Sequence, residues 1–293
     1  MSDGIRASRL PMRRNQWLLL LAIAGFLGPA LLALVAFRII PTAIAIAQSL
    51  GTRDGLGFAN YVSLFESPTF LNSVYVTLLF NLIVNPVQIV IAIALALLLN
   101  QTIPARTLGR IAIFLPVAAP LAVASLVWGI AMRPSDGALN AILAYLNIPA
   151  QPWLTSADQS LLSIMIIVTW AGVGYWTVFL IAGLKEIPED LYEAATIDGA
   201  GWWKCLFVVT LPMLKRTILF VLVANTVGNF LIFAPVQILT RGGPQGSTNL
   251  FIYEIYQLGF SFADIAAASA GVVILVSLML VFVALQFRLL RSG

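Results

Sequence analysis

The sequence predicts an all-α integral membrane protein with six transmembrane helices. Hydrophobic residues make up 60% of the 293-residue chain and charged residues only 10%, which is more apolar surface than a soluble domain of this size can bury. Six stretches are long and apolar enough to cross a bilayer, which takes about 20 residues. The basic residues gather beside these stretches, as anchors at a membrane interface do.

The six predicted spans are separated by polar or turn-rich segments. No charge occurs between Glu66 and Arg106, so the second span stands out most clearly. The spans together form one predicted domain, 17–287, between an N-terminal segment, 1–16, and a tail, 288–293. The predicted spans are Trp17 to Phe37 with an extension to Ile46 left open, Asn72 to Asn100, Ile111 to Met132, Gln159 to Leu184, Thr217 to Thr240, and Ile265 to Phe287.

The first apolar stretch has a second interpretation, as a signal peptide. Arg13 and Arg14 precede it, and Ala45-Ile46-Ala47 resembles a cleavage site. The apolar region of a signal peptide is about 7–15 residues long, however, and this stretch is longer. We therefore predict a retained span.

The distribution of basic residues predicts the orientation of the chain. Six spans place both termini on one side, and twelve of the 16 Lys and Arg residues then lie on that side. Basic residues accumulate on the cytoplasmic side of a membrane. Both termini and the loop 185–216 are therefore predicted to be cytoplasmic. No alternation of aromatic and basic residues suggests a nucleic-acid partner.

Several residue types that carry chemistry are missing from the sequence. Histidine is absent, Cys205 is the single cysteine, and no Gly-x-x-x-x-Gly-Lys phosphate-binding loop occurs. The predicted spans contain no pair of carboxylates. We therefore expect no catalytic residues, no metal site and no cofactor in this chain.

The loop between the fourth and fifth spans has an unusual helical character. Pro188 can begin a helix, and two acidic residues follow in its first turn, where they offset the helix dipole. Gly199 ends this helix, and Trp202 to Leu211 can form a second one limited by Pro212. Such an element is too polar to cross a bilayer and too apolar to stand free. It is predicted to dock on a partner.

Two motifs give the chain a resemblance to a known family. Glu193-Ala194-Ala195, three residues, Gly199, nine residues and then Val209-Thr210-Leu211-Pro212 resemble the EAA motif of permease subunits of ABC importers, with Val209 in place of the usual isoleucine. Thr240-Arg241-Gly242-Gly243-Pro244 resembles the TxGGP signature of the carbohydrate-uptake group, of maltose and glycerol-phosphate type. The resemblance covers about Trp17 to Arg288. If Glu193-Ala194-Ala195 is considered without the rest of the motif, the alternative is an ordinary amphipathic helix in which Glu193 is simply solvated.

The resemblance implies an assembly around this chain. A six-span permease core with cytoplasmic coupling helices would pair with a second, homologous permease subunit in a bacterial plasma membrane. A cytoplasmic ATPase dimer would hold ATP and Mg²⁺, and an extracytoplasmic binding protein would deliver the solute. The residues that would couple to the ATPase are Glu193, Ala194, Ala195, Asp198 and Gly199.

The fifth span carries candidate solute contacts. Asn225 and Asn229 are four residues apart and share a helical face, and their amides can donate to and accept from hydroxyl groups. By resemblance to the maltose-type permease, these two fall at sugar-contacting positions together with Tyr175, Gly172 and Ser125. Asparagine, serine and glycine also pack membrane helices together, which is the alternative.

The identity of the solute stays open at this point. Gly228 stands where the maltose-type permease has a bulky aromatic residue. The substrate of that permease therefore cannot be assigned to this chain. A carbohydrate, a polyol or a related small hydrophilic solute is expected, and an anionic one is not excluded. The alternative functions are a stand-alone secondary transporter or channel, for which ionisable groups at mid-span are missing, and a membrane enzyme or assembly factor.

Overall fold

The computed structural model of the chain describes residues 12–52, 55–101 and 106–291, and it is almost entirely helical. Residues 1–11 of the predicted N-terminal segment and the last two residues of the predicted tail lie outside the described part. The α-helices in chain order are α1 (Met12–Leu34), α2 (Ile40–Leu50), α3 (Ala59–Glu66), α4 (Pro68–Asn100), α5 (Arg106–Ala118), α6 (Leu121–Ala131), α7 (Ala138–Tyr145), α8 (Ala157–Lys185), α9 (Glu189–Ile197), α10 (Trp202–Cys205), α11 (Leu211–Phe230), α12 (Phe251–Tyr256) and α13 (Ile265–Arg291).

Shorter elements join or flank these helices. A 3₁₀ turn precedes α8 at Trp153–Thr155, and strands β1 (Gly51–Thr52) and β2 (Gly55–Leu56) pair antiparallel, with Gly51 opposite Leu56. The π-helical segments are Val35–Ile39, Leu206–Thr210, Val236–Thr240 and Gln257–Ser261. The first two connect α1 to α2 and α10 to α11 without a break in the helical rod.

Five helical rods in the described residues are long and apolar enough to cross a membrane. They are Leu21–Leu50, Pro68–Asn100, Ala157–Lys185, Trp202–Phe230 and Ile265–Leu289. A sixth candidate is the bent pair Thr107–Ala118 and Leu121–Ala131. These elements confirm the predicted all-α membrane fold, and the first span takes its longer form.

The predicted third span, Ile111 to Met132, is not one continuous helix. Helices α5 and α6 meet at 102° across Ala119 and Pro120. Pro120 has an extended backbone with ψ 132° and begins α6, and Pro116 removes a donor from the last turn of α5. Proline therefore turns the predicted straight span into a broken one.

The fifth span and the second elbow helix also differ from prediction. The predicted stop at Pro212 is wrong, because one rod runs through it from Trp202 to Phe230. Pro212 has no backbone N–H to donate to the carbonyl four residues earlier. The turn before it is π-helical, and the Leu211 N–H bonds to the Leu206 carbonyl. The rod ends at Phe230 rather than Thr240, because Leu231 to Phe233 are not helical and a separate helical segment follows up to Thr240.

Helices α4 and α8 lie side by side in the middle of the bundle, and α11 packs against both. Small residues allow close approach, since Ala92 and Ala96 of α4 are fully buried beside Leu180 of α8. A second core joins Phe70 of α4 to Phe251 of α12, whose rings meet edge to face with centroids 5.0 Å apart. The core therefore surrounds α4.

The loops at the Pro68 end of α4 are fixed by side-chain amides. Asn60 donates to the carbonyls of Ser49 and Gly51 at 2.9 and 2.8 Å. Asn140 donates to the Gln151 carbonyl and accepts from Trp153 Nε1 at 2.8 Å. These bonds satisfy backbone groups that no helix pairs, so this end of the molecule is built from ordered turns.

Candidate functional site

A cavity of about 350 Å³ lies between α4, α8 and α11, beside the break in the third predicted span. Ala119 and Leu121, on either side of Pro120, form one wall. The break therefore lies at the wall of the cavity. Irregular backbone is tolerated inside a membrane protein only where protein buries it or where it lines a cavity.

The amides of α11 meet those of α4 at this cavity. Asn225 and Asn229 donate to Asn85 Oδ1 at 3.1 and 2.7 Å, and Asn229 also lies 2.9 Å from Gln88 Oε1. All four side chains are buried. Asn229 further approaches Asn225 Oδ1 at 3.3 Å, so its two amide hydrogens face three acceptors. We call Asn81, Asn85, Gln88, Asn225 and Asn229 the amide network.

Helix α4 extends the network along its own length. Asn85 donates to Asn81 Oδ1 at 3.2 Å, and Asn81 donates to the Thr77 carbonyl at 2.9 Å. Gln88 reaches across to α8 and donates to the Val168 carbonyl at 3.1 Å. Sequence reasoning missed these three residues. Asn81, Asn85 and Gln88 are spaced four and three residues apart in a span without charge, which places them on one face of the helix. This pattern could have identified them in the sequence.

Of the predicted solute contacts, three line the cavity. Asn225 and Asn229 do so, and Gly172 of α8 does so together with Trp176. Gly228 opens the wall between the two asparagines, with nothing within 4 Å of the place where a Cβ would stand.

Tyr175 and Ser125 lie elsewhere. Tyr175 is 47% exposed and packs edge to face on Trp176, with centroids 4.8 Å apart. Ser125 is buried, and its hydroxyl donates to the Leu121 carbonyl of its own helix at 2.7 Å. Within this chain the structure therefore brings together the two asparagines and Gly172, but not the other two residues.

A second feature is the elbow that follows α8, which comprises residues 189–204 and so includes α9, the glycine turn and most of α10. Helix α9 ends in a Schellman motif, in which the Ala200 N–H bonds the Ala195 carbonyl at 2.9 Å and the Gly199 N–H bonds the Thr196 carbonyl at 3.0 Å. Gly199 has φ +73°, which suits glycine best. The predicted helix and its glycine stop are thus present.

The elbow presents the motif residues to the surroundings. Glu193, Ala194, Asp198 and Gly199 are exposed, Ala195 is half-buried, and no residue of α9 is fully buried. Large apolar side chains are exposed beside them, with Ile197 at 86% and Trp203 at 68%. A surface with this mixture of acids and exposed apolar groups is typical of a binding site for another protein.

One hydrogen bond ties the elbow to the fifth span. Tyr192 of α9 and Thr210 of the π-helical segment have their hydroxyls 3.0 Å apart. Both side chains border a cavity of about 330 Å³ that also reaches Cys205 and the end of α4. Sequence reasoning missed this pair, because nothing in the spacing of 18 residues indicates that α9 folds back on the rod.

The comparison with known families decides what this arrangement belongs to. Residues 88–292 match the family described as "Binding-protein-dependent transport system inner membrane component". The chain belongs to this family. The predicted resemblance to permease subunits of ABC importers is thereby confirmed, and the chain is a transport subunit of an inner membrane.

Individual relatives of this inner membrane component agree with that assignment. The sn-glycerol-3-phosphate transport system permease protein UgpA of Brucella abortus is 31% identical over 91% of this chain and 93% of its own. The UgpA protein of Pectobacterium atrosepticum is 33% identical over 96% of both chains. A multi-subunit family does not favour the alternative of a stand-alone transporter.

The same fold occurs in a solved transporter. A chain of the crystal structure of a bacterial alginate ABC transporter, in complex with an alginate pentasaccharide-bound periplasmic protein, superposes with a TM-score of 0.84. The two chains are 23% identical, and the match covers 95% of this inner membrane component and 96% of the other chain. At this identity the likeness concerns the fold.

Proposed function

We propose that this chain is the permease subunit of an ATP-driven importer and forms part of the path for a carbohydrate, a polyol or a related hydrophilic solute. It works with a second, homologous permease subunit, a cytoplasmic ATPase dimer that holds ATP and Mg²⁺, and an extracytoplasmic binding protein. This chain supplies no hydrolytic chemistry. The ATPase dimer closes on ATP, and the elbow passes that movement to the spans.

The observation that carries the proposal is the exposed elbow with its tether. Ile197, Trp202 and Trp203 are each more than half exposed, beside the acids of α9. Contact with a large partner would bury these apolar groups and pair Glu193 with a basic residue. Because Tyr192 bonds to Thr210 at the base of the fifth span, a force on α9 acts on the rod that carries Asn225 and Asn229.

The charge distribution supports a cytoplasmic elbow only if the broken helix pair crosses the membrane. With the pair counted as a crossing, twelve of 16 basic residues share the side of the termini. With the pair counted as a re-entrant loop, the basic residues divide eight and eight, and no orientation is favoured. The positive-inside rule therefore favours six crossings.

Packing supports the same conclusion. Gly109 of α5 lies against Leu99 in the last turn of α4, with its Cβ position 3.2 Å from Leu99 Cδ2. Gly129 of α6 lies against Leu239, beyond the end of α11, with a Cβ position 2.7 Å from its Cδ2. The bent pair thus starts at the elbow end of the bundle and finishes at the opposite end. We infer that both termini and the elbow are cytoplasmic.

The cavity supports a solute rich in hydroxyl groups. Amides both donate and accept, as hydroxyls do, and Trp176 offers an aromatic face for the C–H side of a ring. The relatives carry names that refer to sn-glycerol-3-phosphate transport. The described lining of this cavity contains no charged side chain, so an anionic group of such a solute would need a cation from the second permease.

Reconstitution tests the proposal. The chain is co-expressed with a second permease, an ATPase and a binding protein from the same organism, purified, and placed in proteoliposomes. We expect the subunits to purify together and a labelled solute to accumulate only with ATP and the loaded binding protein. Uptake by this chain alone, or without ATP, would contradict the proposal.

A further inference from the structure

A second cavity lies at the opposite end of the bundle from the elbow. It has a volume of about 490 Å³ and is bordered by the Arg241-Gly242-Gly243 turn, by α12 and by the first turn of α4. Ser247, three residues after Pro244 of the same loop, bonds to Ser160 in the first turn of α8 at 2.8 Å. These contacts assign the cavity to the end at which α4 and α8 begin. We call it the rim cavity.

The rim cavity contains a carboxylate without a counter-charge. Glu254 of α12 is only 7% exposed, and its Oε2 accepts from Asn249 Nδ2 at 2.8 Å. Among the described residues no basic group forms a salt bridge with it. Asn249 itself is 5% exposed, and its Oδ1 is buried without a hydrogen-bond partner. The Asn249 oxygen therefore lacks a hydrogen bond, and the neighbouring Glu254 carboxylate lacks a counter-charge.

Such an arrangement is costly in an isolated chain. A buried charge is normally paired, and an unpaired buried acceptor loses its bond to water without a replacement. Arg241 borders the same cavity but is exposed and does not reach the carboxylate. A cationic donor from outside the chain would satisfy Glu254 and Asn249 together.

We propose that the rim cavity receives a lysine or arginine side chain of the extracytoplasmic binding protein, with Glu254 as its counter-charge. This inference rests on the proposed function, which places this end of the bundle outside the cell. The binding protein approaches from that side, and Arg241 and Thr69 at the border of the cavity are exposed. Glu254 then fixes where the binding protein docks, and Asn249 Oδ1 accepts a second hydrogen of the same cationic group.

The shape and lining of the cavity favour a long organic cation over a metal ion. Hard metal ions in proteins are usually held by several oxygen ligands that include carboxylates, and no group of three or more His, Cys, Asp or Glu side chains that could hold a metal occurs among the described residues. The walls include Tyr253, Leu258 and Phe262, which suit the apolar stem of a lysine or arginine. A volume of about 490 Å³ also exceeds what a single ion fills.

The experiment measures ATP hydrolysis by the reconstituted complex as the loaded binding protein is titrated. In Glu254→Gln the amide can still accept from Asn249, but the negative charge is gone. We expect the half-maximal concentration of binding protein to rise about tenfold or more, with the maximal rate unchanged. The matched control is Asp136→Asn, an exposed acid at the same end, which should shift the titration less than twofold.

A second variant keeps the proposal testable if Glu254→Gln fails to assemble. Thr69 is exposed and borders the rim cavity, so Thr69→Arg brings a cation to Glu254 from within the chain. It should compete with the binding protein and raise the half-maximal concentration, whereas Thr155→Arg, exposed but away from the cavity, should not.

The outcomes separate this inference from the proposed function. An unchanged titration in both Glu254→Gln and Thr69→Arg overturns the docking role. A lower maximal rate at an unchanged half-maximal concentration also overturns it and assigns Glu254 to the solute path or the fold. If the wild-type complex shows no stimulation by any binding protein, the proposed function itself fails.

Discussion

Asn229 of α11 donates to Asn85 of α4 across 2.7 Å, although 144 residues separate them in the chain. The pair joins two spans inside an apolar bundle and lies at the edge of the cavity proposed for the solute. Asn229 has two amide hydrogens for three nearby acceptors, so it can exchange partners at little cost. The same amides can therefore hold the helices together and, when the spans move, offer bonds to a solute.

Removing Asn85 should destabilise the bundle. Asn85→Ala leaves Asn225 and Asn229 without their shared acceptor, and we expect a loss of about 1–2 kcal/mol in unfolding free energy. The measurement is unfolding of the detergent-solubilised chain. Ser277→Ala is the control, because that hydroxyl is exposed and bonds only its own helix. Additive effects of Asn85→Ala and Asn229→Ala would contradict a shared bond.

Two glycines of α8 should respond very differently to alanine. A Cβ on Gly174 would lie 2.1 Å from the Ile113 carbonyl oxygen, so Gly174→Ala must push α5 away. A Cβ on Gly172 would meet Gln88 Nε2 at an ordinary 3.5 Å. We expect Gly174→Ala to cost about 2 kcal/mol or more in thermal stability. Gly172→Ala should retain stability and reduce only uptake, and equal stability of the two variants would refute the close α5–α8 contact.

The elbow offers a matched pair of glycines for testing backbone geometry. Gly199 has φ +73° and Gly201 has φ −73°, and neither has an atom within 4 Å of its Cβ position. Gly199→Ala should therefore cost about 1 kcal/mol through backbone strain alone and weaken ATP-coupled uptake. Gly201→Ala should behave as wild type. Similar uptake by both variants would show that the left-handed turn is not needed for coupling.

The tether between the elbow and the fifth span can be cut without altering size. Tyr192→Phe and Thr210→Val each remove one hydroxyl of the 3.0 Å pair. We expect ATP hydrolysis to continue while solute uptake per ATP falls severalfold, since the elbow would move with less effect on the rod. Thr196→Val is the control, because its hydroxyl bonds the carbonyl of Tyr192 in its own helix. An unchanged ratio of uptake to hydrolysis would exclude this role for the tether.

The single cysteine makes the orientation easy to test. In a Cys205→Ser background, Asp136→Cys and Glu186→Cys place one exposed thiol at each end of the bundle. A membrane-impermeant maleimide should label position 136 in intact spheroplasts and position 186 only in inverted vesicles. The reverse pattern, with position 186 labelled in spheroplasts and position 136 only in inverted vesicles, would place the elbow outside the cell and contradict the proposed orientation.

Much of the fold was predictable, because hydropathy and charge act locally along the chain. Long apolar stretches must be helical in lipid, where every backbone group needs an internal partner. The elbow helix and its glycine stop follow from capping chemistry within a few residues of Gly199. The EAA-like spacing and the TxGGP-like loop were sufficient to indicate the family.

The sequence did not reveal the breaks and joins within the rods. Pro120 and Pro212 are both prolines next to apolar runs, yet the chain bends by 102° at one and continues as one helical rod through the other. A π-helical turn absorbs the missing donor at Pro212. Whether a proline bends or is absorbed depends on the helices packed around it, and local sequence does not encode those neighbours.

By itself, the sequence determined that this chain is a helical membrane protein, that six crossings would put most basic residues on one side, and that a helix begins at Pro188 and is ended by Gly199. Only the tertiary structure decided that Asn81, Asn85 and Gln88 meet Asn225 and Asn229, and that Glu254 is buried without a counter-charge. The reason is physical. Hydropathy depends on each residue's own chemistry, whereas burial and pairing of a polar group depend on which distant helix packs against it.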